Sequence, residues 1–410
     1  MFPVDIRLST SHGLHRCATF VRMVFDMRLS RRSFLSAAGL GSFAAAPLLS
    51  FAAKKGPSEY PLYIGAYTQG TSKGILMATF DTRTGAISTP ELVAATPNPT
   101  FLAIHPSKAF LYAVNEIGNW KGQRTGSVGA YAIGAGGKLQ LLNEVSSMGD
   151  GPCHVALDKA GHVAVVANYG GGTIASYKVQ ADGKLSEAVT SVRFTGFGPN
   201  KQRQAAPHAH SNTFSLDNRY LVSADLGTDR LHLFDVNLAT AALDPHEPKF
   251  VRTIPGSGPR HFTFHPSDLC AYVNNELTNS VTAFRWDHFA GQLTELQTIS
   301  TLPDDFKGQS STAEIRIHPQ NGRLYVSNRG HDSITVFDID KQGKLTRVDI
   351  TPVGGKTPRN FNFDPSGRWL LAANQDSNNI TVFEVGKNGR LRATAESAQC
   401  GAPVCLKFLA

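Results

Sequence analysis

The chain has 410 residues, of which 18% are charged, with 38 glycines, 22 prolines and a net charge of +8. So many turn residues beside so few charges argue against long charged helices, and the length suffices for one large all-β domain with a substantial core. Residues 1–53 hold six arginines against two aspartates, half of the net charge, so the remainder is too mildly and diffusely basic to mark a nucleic-acid partner.

The first segment reads as an address. Ser30-Arg31-Arg32-Ser33-Phe34-Leu35 resembles the twin-arginine export motif, and an apolar, small-residue run follows from Ala37 to Ala53. Charged, then apolar, then small-residue cleavage site is the order of a signal peptide, with no stable membrane span after cleavage. Met27 is the expected start, residues about 27–53 the leader and 54–410 the mature domain. Twin-arginine export machinery is then a partner, and the destination is the periplasm or the exterior. An uncleaved amphipathic tail is the alternative.

From Tyr60 onward one unit recurs. YPLYIGAYT, LYAVNE, VAVVANYGG, YLVSADLG, AYVNNE, LYVSNRG and LLAANQD are short apolar runs that end on polar residues. Each is followed by a strand with an aromatic near its end, from GILMATFD to NITVFEV. Each is preceded by another strand: NPTFLAIHP, GPCHVALD, PHAHSNTFSLD, GPRHFTFHP, TAEIRIHP and TPRNFNFDP, with APVCLKFLA last. Alternating β-branched and aromatic residues between turn signals predict strands throughout, four to a repeat of about 50 residues.

The phase of the repeat matters more than its count. The body opens on a second strand, at Tyr60, and closes on a first strand, at Pro403. Pairing these two completes one unit and leaves no open sheet edge. The expected fold is therefore all-β: a seven-bladed β-propeller of four-stranded blades, closed by its N-terminal and C-terminal strands.

In such a ring the start of each first strand lies beside the end of its second strand, at one mouth of the central channel. That gathers Arg260, His261 and Glu276; His154 with Asn168 and Tyr169; His208 and His210 with Asp225. Glu314 and Arg316 join Asn328 and Arg329, Arg359 joins Asn374 and Gln375, and Asn115 with Glu116 completes the circle. Arginine forks bind carboxylate or phosphate, His or Glu can move protons, and a guanidinium can hold an oxyanion. These parts suit hydrolysis of a polar ester or lactone by activated water. No nucleophile elbow is present.

Bland readings stand beside these. Arg260 and Glu276 can form a purely structural pair, and Glu314 and Arg316 can bridge neighbouring blades. Lys201 and Arg203 lie in a long polar connection that can capture phosphate or sit in solvent. The recurring Asn168, Asn328 and Asn374 suggest shared turn chemistry. His208-x-His210 has a metal-compatible spacing but no third ligand nearby. Cys153 is expected to point into its blade, opposite to His154. Of the five cysteines, Cys17 leaves with the leader; Cys153, Cys270, Cys400 and Cys405 have no metal-type spacing, and one disulfide is open to them.

GPNKQRQAAPHAHS, SADLGTDRL, GPRHFTFHP, VNNE, TAEIRIHP, LYVSNRGHDSITVF and PRNFNFDPSGRWLLAANQDSNNITVF together resemble the lactonase family of seven-bladed propellers, over about residues 60–408. That family includes bacterial 6-phosphogluconolactonases and fungal carboxy-cis,cis-muconate cyclases. The resemblance implies a cofactor-independent site at the channel mouth, with His210 (or His208), Arg260, Glu276 and Arg329 as catalytic residues. His154, His208, Glu314, Arg359 and Arg203 are expected to bind a small lactone, polar and anionic, as in a 6-phosphogluconolactonase-like ester hydrolase. In the expected mechanism Arg260 and Arg329 clamp the anion, and one of His210 and Glu276 activates water while the other protonates the leaving alkoxide. The alternatives are a lactonising cyclase, a non-catalytic exported propeller that binds protein or glycan, and a periplasmic propeller oxidase, which has no CxxCH or metal cluster in its favour. Export also separates the chain from a cytosolic 6-phosphogluconolactone pool.

Overall fold

A computed structural model describes residues 58–410 of the chain; the expected leader lies outside them. Twenty-eight strands, β1 to β28, form seven antiparallel sheets of four. The first strand of each blade is β4 (Phe101–Ile104), β8 (Pro152–Leu157), β12 (Ala209–Phe214), β16 (Pro259–Phe264), β20 (Ser311–Ile317), β24 (Pro358–Phe363) or β28 (Pro403–Phe408). Each touches its counterpart in the next blade, and β28 returns to touch β4, so these seven strands wall a closed central channel. Closure is the one expected: β28 pairs with β1 (Glu59–Ala66), with Leu62 opposite Phe408 and Ile64 opposite Leu406.

The second strands lie between neighbouring blades. In β9 (Val163–Asn168) and β25 (Trp369–Asn374) every residue is buried, which is why VAVVA and LLAA are continuous apolar runs. The outer strand β11 (Leu185–Arg193) alternates half-buried and exposed positions after Leu185, as a strand with one face toward water must.

Neighbouring blades are locked by a recurring tyrosine. Tyr63, Tyr112, Tyr272 and Tyr325 donate their buried hydroxyls to the carbonyls of Gly137, Gly183, Gly343 and Gly389, each in the outer turn of the following blade, over 2.7, 2.9, 3.0 and 2.6 Å. Gly183 has φ +85°, and a Cβ there would lie 2.3 Å from the Phe110 ring, so this turn requires glycine. Cys153, Cys270, Cys400 and Cys405 are all buried and unpaired, each a small hydrophobe with no disulfide.

Candidate active site at the channel mouth

One irregularity builds the mouth. In β8, β12, β16, β24 and β28 the register with the second strand slips at the same height, so that Cys153, His210, Arg260, Arg359 and Val404 are extra residues. In β20 the slip spans Ala313 and Glu314. A β-bulge re-aims the inserted side chain, and here several of the inserted residues converge on the axis. Four of the five follow a proline (Pro152, Pro259, Pro358, Pro403), which cannot donate to the ladder and suits a strand's first residue or a bulge. Strict alternation therefore fails, and Cys153 is corrected: it does not point away into its blade. Its Sγ is 3.9 Å from His210 Nδ1, and it lines the same axial cavity as His210.

That cavity is enclosed by Glu116, Cys153, His210, Arg260, His261 and Arg359 among others, and its volume is about 10 Å³. This is about the room one water needs.

A second ring comes from the residue just past the end of each second strand. Glu276 is one of these, almost fully buried beneath three guanidiniums. Arg260 Nε lies 2.9 Å and Arg329 Nη2 3.0 Å from its Oε2, and Arg203 Nη2 binds its Oε1. Burial alone would raise the Glu276 pKa, but Arg329, Arg260 and Arg203 outweigh it and hold it down to about 2. Burial pushes the Arg260 guanidinium down to about 9, with Arg329 and Arg359 adding repulsion, and it stays charged at neutral pH. Arg203 reaches in from the loop between β11 and β12, where the buried Gln204 donates to Leu226 O and Asp229 Oδ1 over 2.9 and 2.7 Å. The same guanidinium donates to the Tyr169 hydroxyl over 3.1 Å, while Lys201 stays exposed.

Three blades away stands a second carboxylate, Glu116. It accepts the Tyr67 hydroxyl over 3.0 Å and the Thr100 hydroxyl over 2.6 Å. Arg359 lies over the Tyr67 ring at 5.6 Å and, among the described residues, forms no ion pair. It is the uncommitted cation of the mouth.

His210 and His208 flank Tyr169. His208 stacks on the ring at 4.4 Å and its Nδ1 meets Tyr169 O at 2.9 Å, while His210 meets the ring edge at 5.6 Å. Burial, reinforced by Arg260, His261, Arg359 and Arg329, drives the His210 pKa well below the ordinary value, so its ring is neutral. Among the described residues no group of three or more His, Cys, Asp or Glu is placed to hold a metal ion.

Two of the expected binding residues sit one tier deeper. His154 packs on Phe101 at 4.2 Å and on His261 at 5.4 Å, and does not line the axial cavity. Glu314 meets His261 Nδ1 at 3.2 Å and Arg316 Nη2 at 3.5 Å, and accepts from the Asn360 amide. His261 Nε2 in turn faces Arg260 Nη1 at 3.3 Å, so Glu314, His261 and Arg260 form one chain. Burial pushes the His261 pKa down to about 4 despite Glu314. The recurring asparagines are structural: Asn168, Asn275, Asn328 and Asn374 each donate to a Ser or Thr of the following strand over 2.9 to 3.1 Å.

Glu116, Tyr67 and His261 are the members that residue-by-residue reading undervalued. Glu116 occupies in its blade the position that Glu276 occupies in its own, a signal visible in LYAVNE and AYVNNE.

A family model described as "Lactonase, 7-bladed beta-propeller" matches residues 61–408. The chain is 38% identical to a 6-phosphogluconolactonase of Bacillus subtilis over 317 residues, 77% of this chain and 88% of that protein. It is 36% identical to a 6-phosphogluconolactonase of Formosa agariphila over 76% of this chain and 88% of that one. The solved structure of a Pseudomonas aeruginosa periplasmic gluconolactonase superposes with a TM-score of 0.81 at 34% identity, over 86% of this chain and 99% of that one. Fold, blade phase and sequence agree, and the chain belongs to the lactonase family of seven-bladed β-propellers.

Proposed function

We propose that this protein hydrolyses a polar, anionic sugar lactone, and that it does so in an exported setting. The observation that carries the reading is the pairing of an uncommitted guanidinium, Arg359, with a water-sized cavity walled by His210 and Glu116. At the mouth itself the four guanidiniums of Arg203, Arg260, Arg329 and Arg359 meet two carboxylates, Glu276 and Glu116, with Glu314 one tier deeper, so the mouth holds more positive than negative charge. An anionic substrate relieves that imbalance. The relatives named for 6-phosphogluconolactonase and periplasmic gluconolactonase both support a sugar lactone, and the second supports an exported setting.

The roles expected of the residues change in one respect. A carboxylate held near a pKa of 2 by three arginines is a poor base, so Glu276 organises the guanidiniums instead. His210 is the base. It takes a proton from the water; the hydroxide adds to the lactone carbonyl carbon; Arg359 and Arg260 hold the oxyanion. The ring C–O bond then breaks, and the leaving alkoxide takes the proton back from His210, giving a hydroxy acid. Substrate binding assists, because an anion on the arginines offsets the positive field that suppresses His210 basicity in the free protein.

The test is a lactone panel, phosphorylated and not, followed by proton release with the mature chain and with His210→Gln and Arg359→Gln. Hydrolysis by the wild type that falls at least 100-fold in both variants is expected. Hydrolysis that survives His210→Gln unchanged removes the assigned base; silence across the panel removes the reading.

A further inference from the structure

Behind the active-site floor lies a second, larger space. The rings of Phe101, His154 and His261 close the bottom of the mouth. Beyond them a cavity of about 1050 Å³ runs down the channel to the His-Pro and Asp-Pro turns of the opposite face. Two residues below the floor, each first strand contributes one side chain at the same height: Ala103, Ala156, Thr213, Thr263, Arg316, Asn362 and Lys407, every one on the cavity wall.

This tier is lopsided. Blades carrying Arg316 and Lys407 flank the one carrying Asn362, so two cations occupy one arc. The next two blades round the ring from Lys407 contribute only Ala103 and Ala156, which leave room beside it. Most polar members are tied to the next blade's backbone: Thr213 Oγ1 donates to Phe262 O over 3.0 Å, Arg316 Nε to Phe361 O over 2.8 Å, and Asn362 Nδ2 to Leu406 O over 3.0 Å. Lys407 differs. Its ammonium sits 4.8 Å from the Phe101 ring centroid and has no ion pair among the described residues. Ser211, on the same wall, is fully buried, and its hydroxyl has no hydrogen-bond partner. A half-buried cation without a carboxylate and a buried, unused hydroxyl at the wall of a roomy channel leave polar groups that an anionic, hydroxylated ligand would satisfy.

We propose that the channel is a second ligand site, taking a small oxyanion-bearing molecule, a sugar-acid carboxylate or a phosphate, on Lys407 and Arg316. The volume admits a molecule of hexonic-acid size, and Thr213, Thr263 and Asn362 can meet its hydroxyls. Occupancy reaches the active site along one chain. An anion that draws Arg316 away from Glu314 loosens the Glu314–His261–Arg260 series that positions the mouth arginine. The site itself stands without the lactonase reading; only this effect on turnover rests on it.

Calorimetric titration with D-gluconate and, separately, inorganic phosphate tests it, using wild type, Lys407→Met and Ala156→Leu. The second variant narrows the channel without touching a charge, and covers the case in which Lys407→Met does not fold. Two sites per chain are expected for at least one of the two anions in the wild type and one in each variant, and Arg359→Gln should lose the other site. The responding anion identifies the ligand class. A ligand-free melt separates binding from structure: Lys407→Met should melt no lower than the wild type, since it removes a half-buried cation that has no ion pair among the described residues. A wild type with no site that is lost in Lys407→Met or in Ala156→Leu overturns the proposal, as does a Lys407→Met chain that binds normally and melts lower.

Discussion

Glu276 and Arg260 are sixteen positions apart in the chain and 2.9 Å apart in space, both almost fully buried. Their contact is the hub of the mouth, because Arg329 and Arg203 bind the same carboxylate. Glu276→Gln keeps the shape and removes the charge, leaving three guanidiniums crowded without their anion. The expected cost is roughly 3–5 kcal/mol of folding stability, read as a fall in the denaturant midpoint. A loss below 1 kcal/mol would show that the cluster is not organised by Glu276. The pH dependence has a definite sign. Glu276 titrates lower folded than unfolded, so its contribution is complete above its ordinary value of 4.5 and is lost as pH falls toward 2.

Three histidines near the axis, His210 and His261 buried and His154 half-buried, give a second window, at higher pH. His154, His210 and His261 all have pKa values depressed chiefly by burial, His261 to about 4. The unfolded chain binds protons at these sites first, so stability is full above about 6.5 and declines as pH falls from there toward 4. His154→Phe, which stacks on Phe101 in the same way, should flatten that decline at the cost of the weak acceptor for the Asn212 N–H. Melting temperatures at pH 7 and pH 5 decide it: the wild type should lose more than the variant.

The blades' interlock is testable apart from the site. Tyr272→Phe strands the Gly343 carbonyl in a buried turn and should cost about 1–3 kcal/mol. Gly343→Ala should also destabilise, because φ is +85° and the new Cβ would meet Cys270 Cβ at 2.9 Å. Chemical denaturation of the two variants measures both; wild-type midpoints would mean that the blades are held by apolar packing alone.

The fold was legible because its information is periodic. Seven apolar second strands, seven aromatic third strands and a phase that splits one blade between the termini leave few alternatives. The candidate site was legible by position only, since Arg260, Glu276, Arg329 and His210 all reach the mouth. What alternation could not show was the bulge. Cys153 and His154 are adjacent, and a regular strand would send them to opposite faces; the inserted residue brings both toward the axis at different depths. The proline before Cys153, Arg260, Arg359 and Val404 is the signal in the sequence, and its meaning depends on ladder hydrogen bonds that only the fold displays. Glu276 likewise reads as a base in isolation, and only the count of guanidiniums around it shows a held anion.

The proposed base makes a prediction about two pH profiles. In the free protein His210 is kept neutral by burial and by Arg260, His261, Arg359 and Arg329. An anionic substrate on the arginines cancels part of that field, so the imidazole regains basicity in the complex. The acid limb of kcat/KM reports the free protein and that of kcat the complex. The limb of kcat should therefore lie at higher pH than that of kcat/KM, and Arg359→Gln should move the kcat/KM limb upward. Coincident limbs in the wild type would rule out this substrate-assisted role.

The proposed role of Arg359 also makes a prediction about the charge of the substrate. Its guanidinium has no carboxylate of its own, so an anionic group on the substrate makes a charge-assisted bond there, worth about 2–3 kcal/mol. Arg359→Gln should then lower kcat/KM for a phosphorylated or carboxylated lactone by roughly 100-fold. A neutral lactone has no such group, and meets Arg359 only as an oxyanion in the transition state. For it the loss should fall on kcat with KM little changed, whereas the anionic substrate should lose binding as well. Measuring both substrates with the wild type and the variant separates the roles, because equal losses in KM for charged and neutral lactones would mean that Arg359 holds no substrate anion.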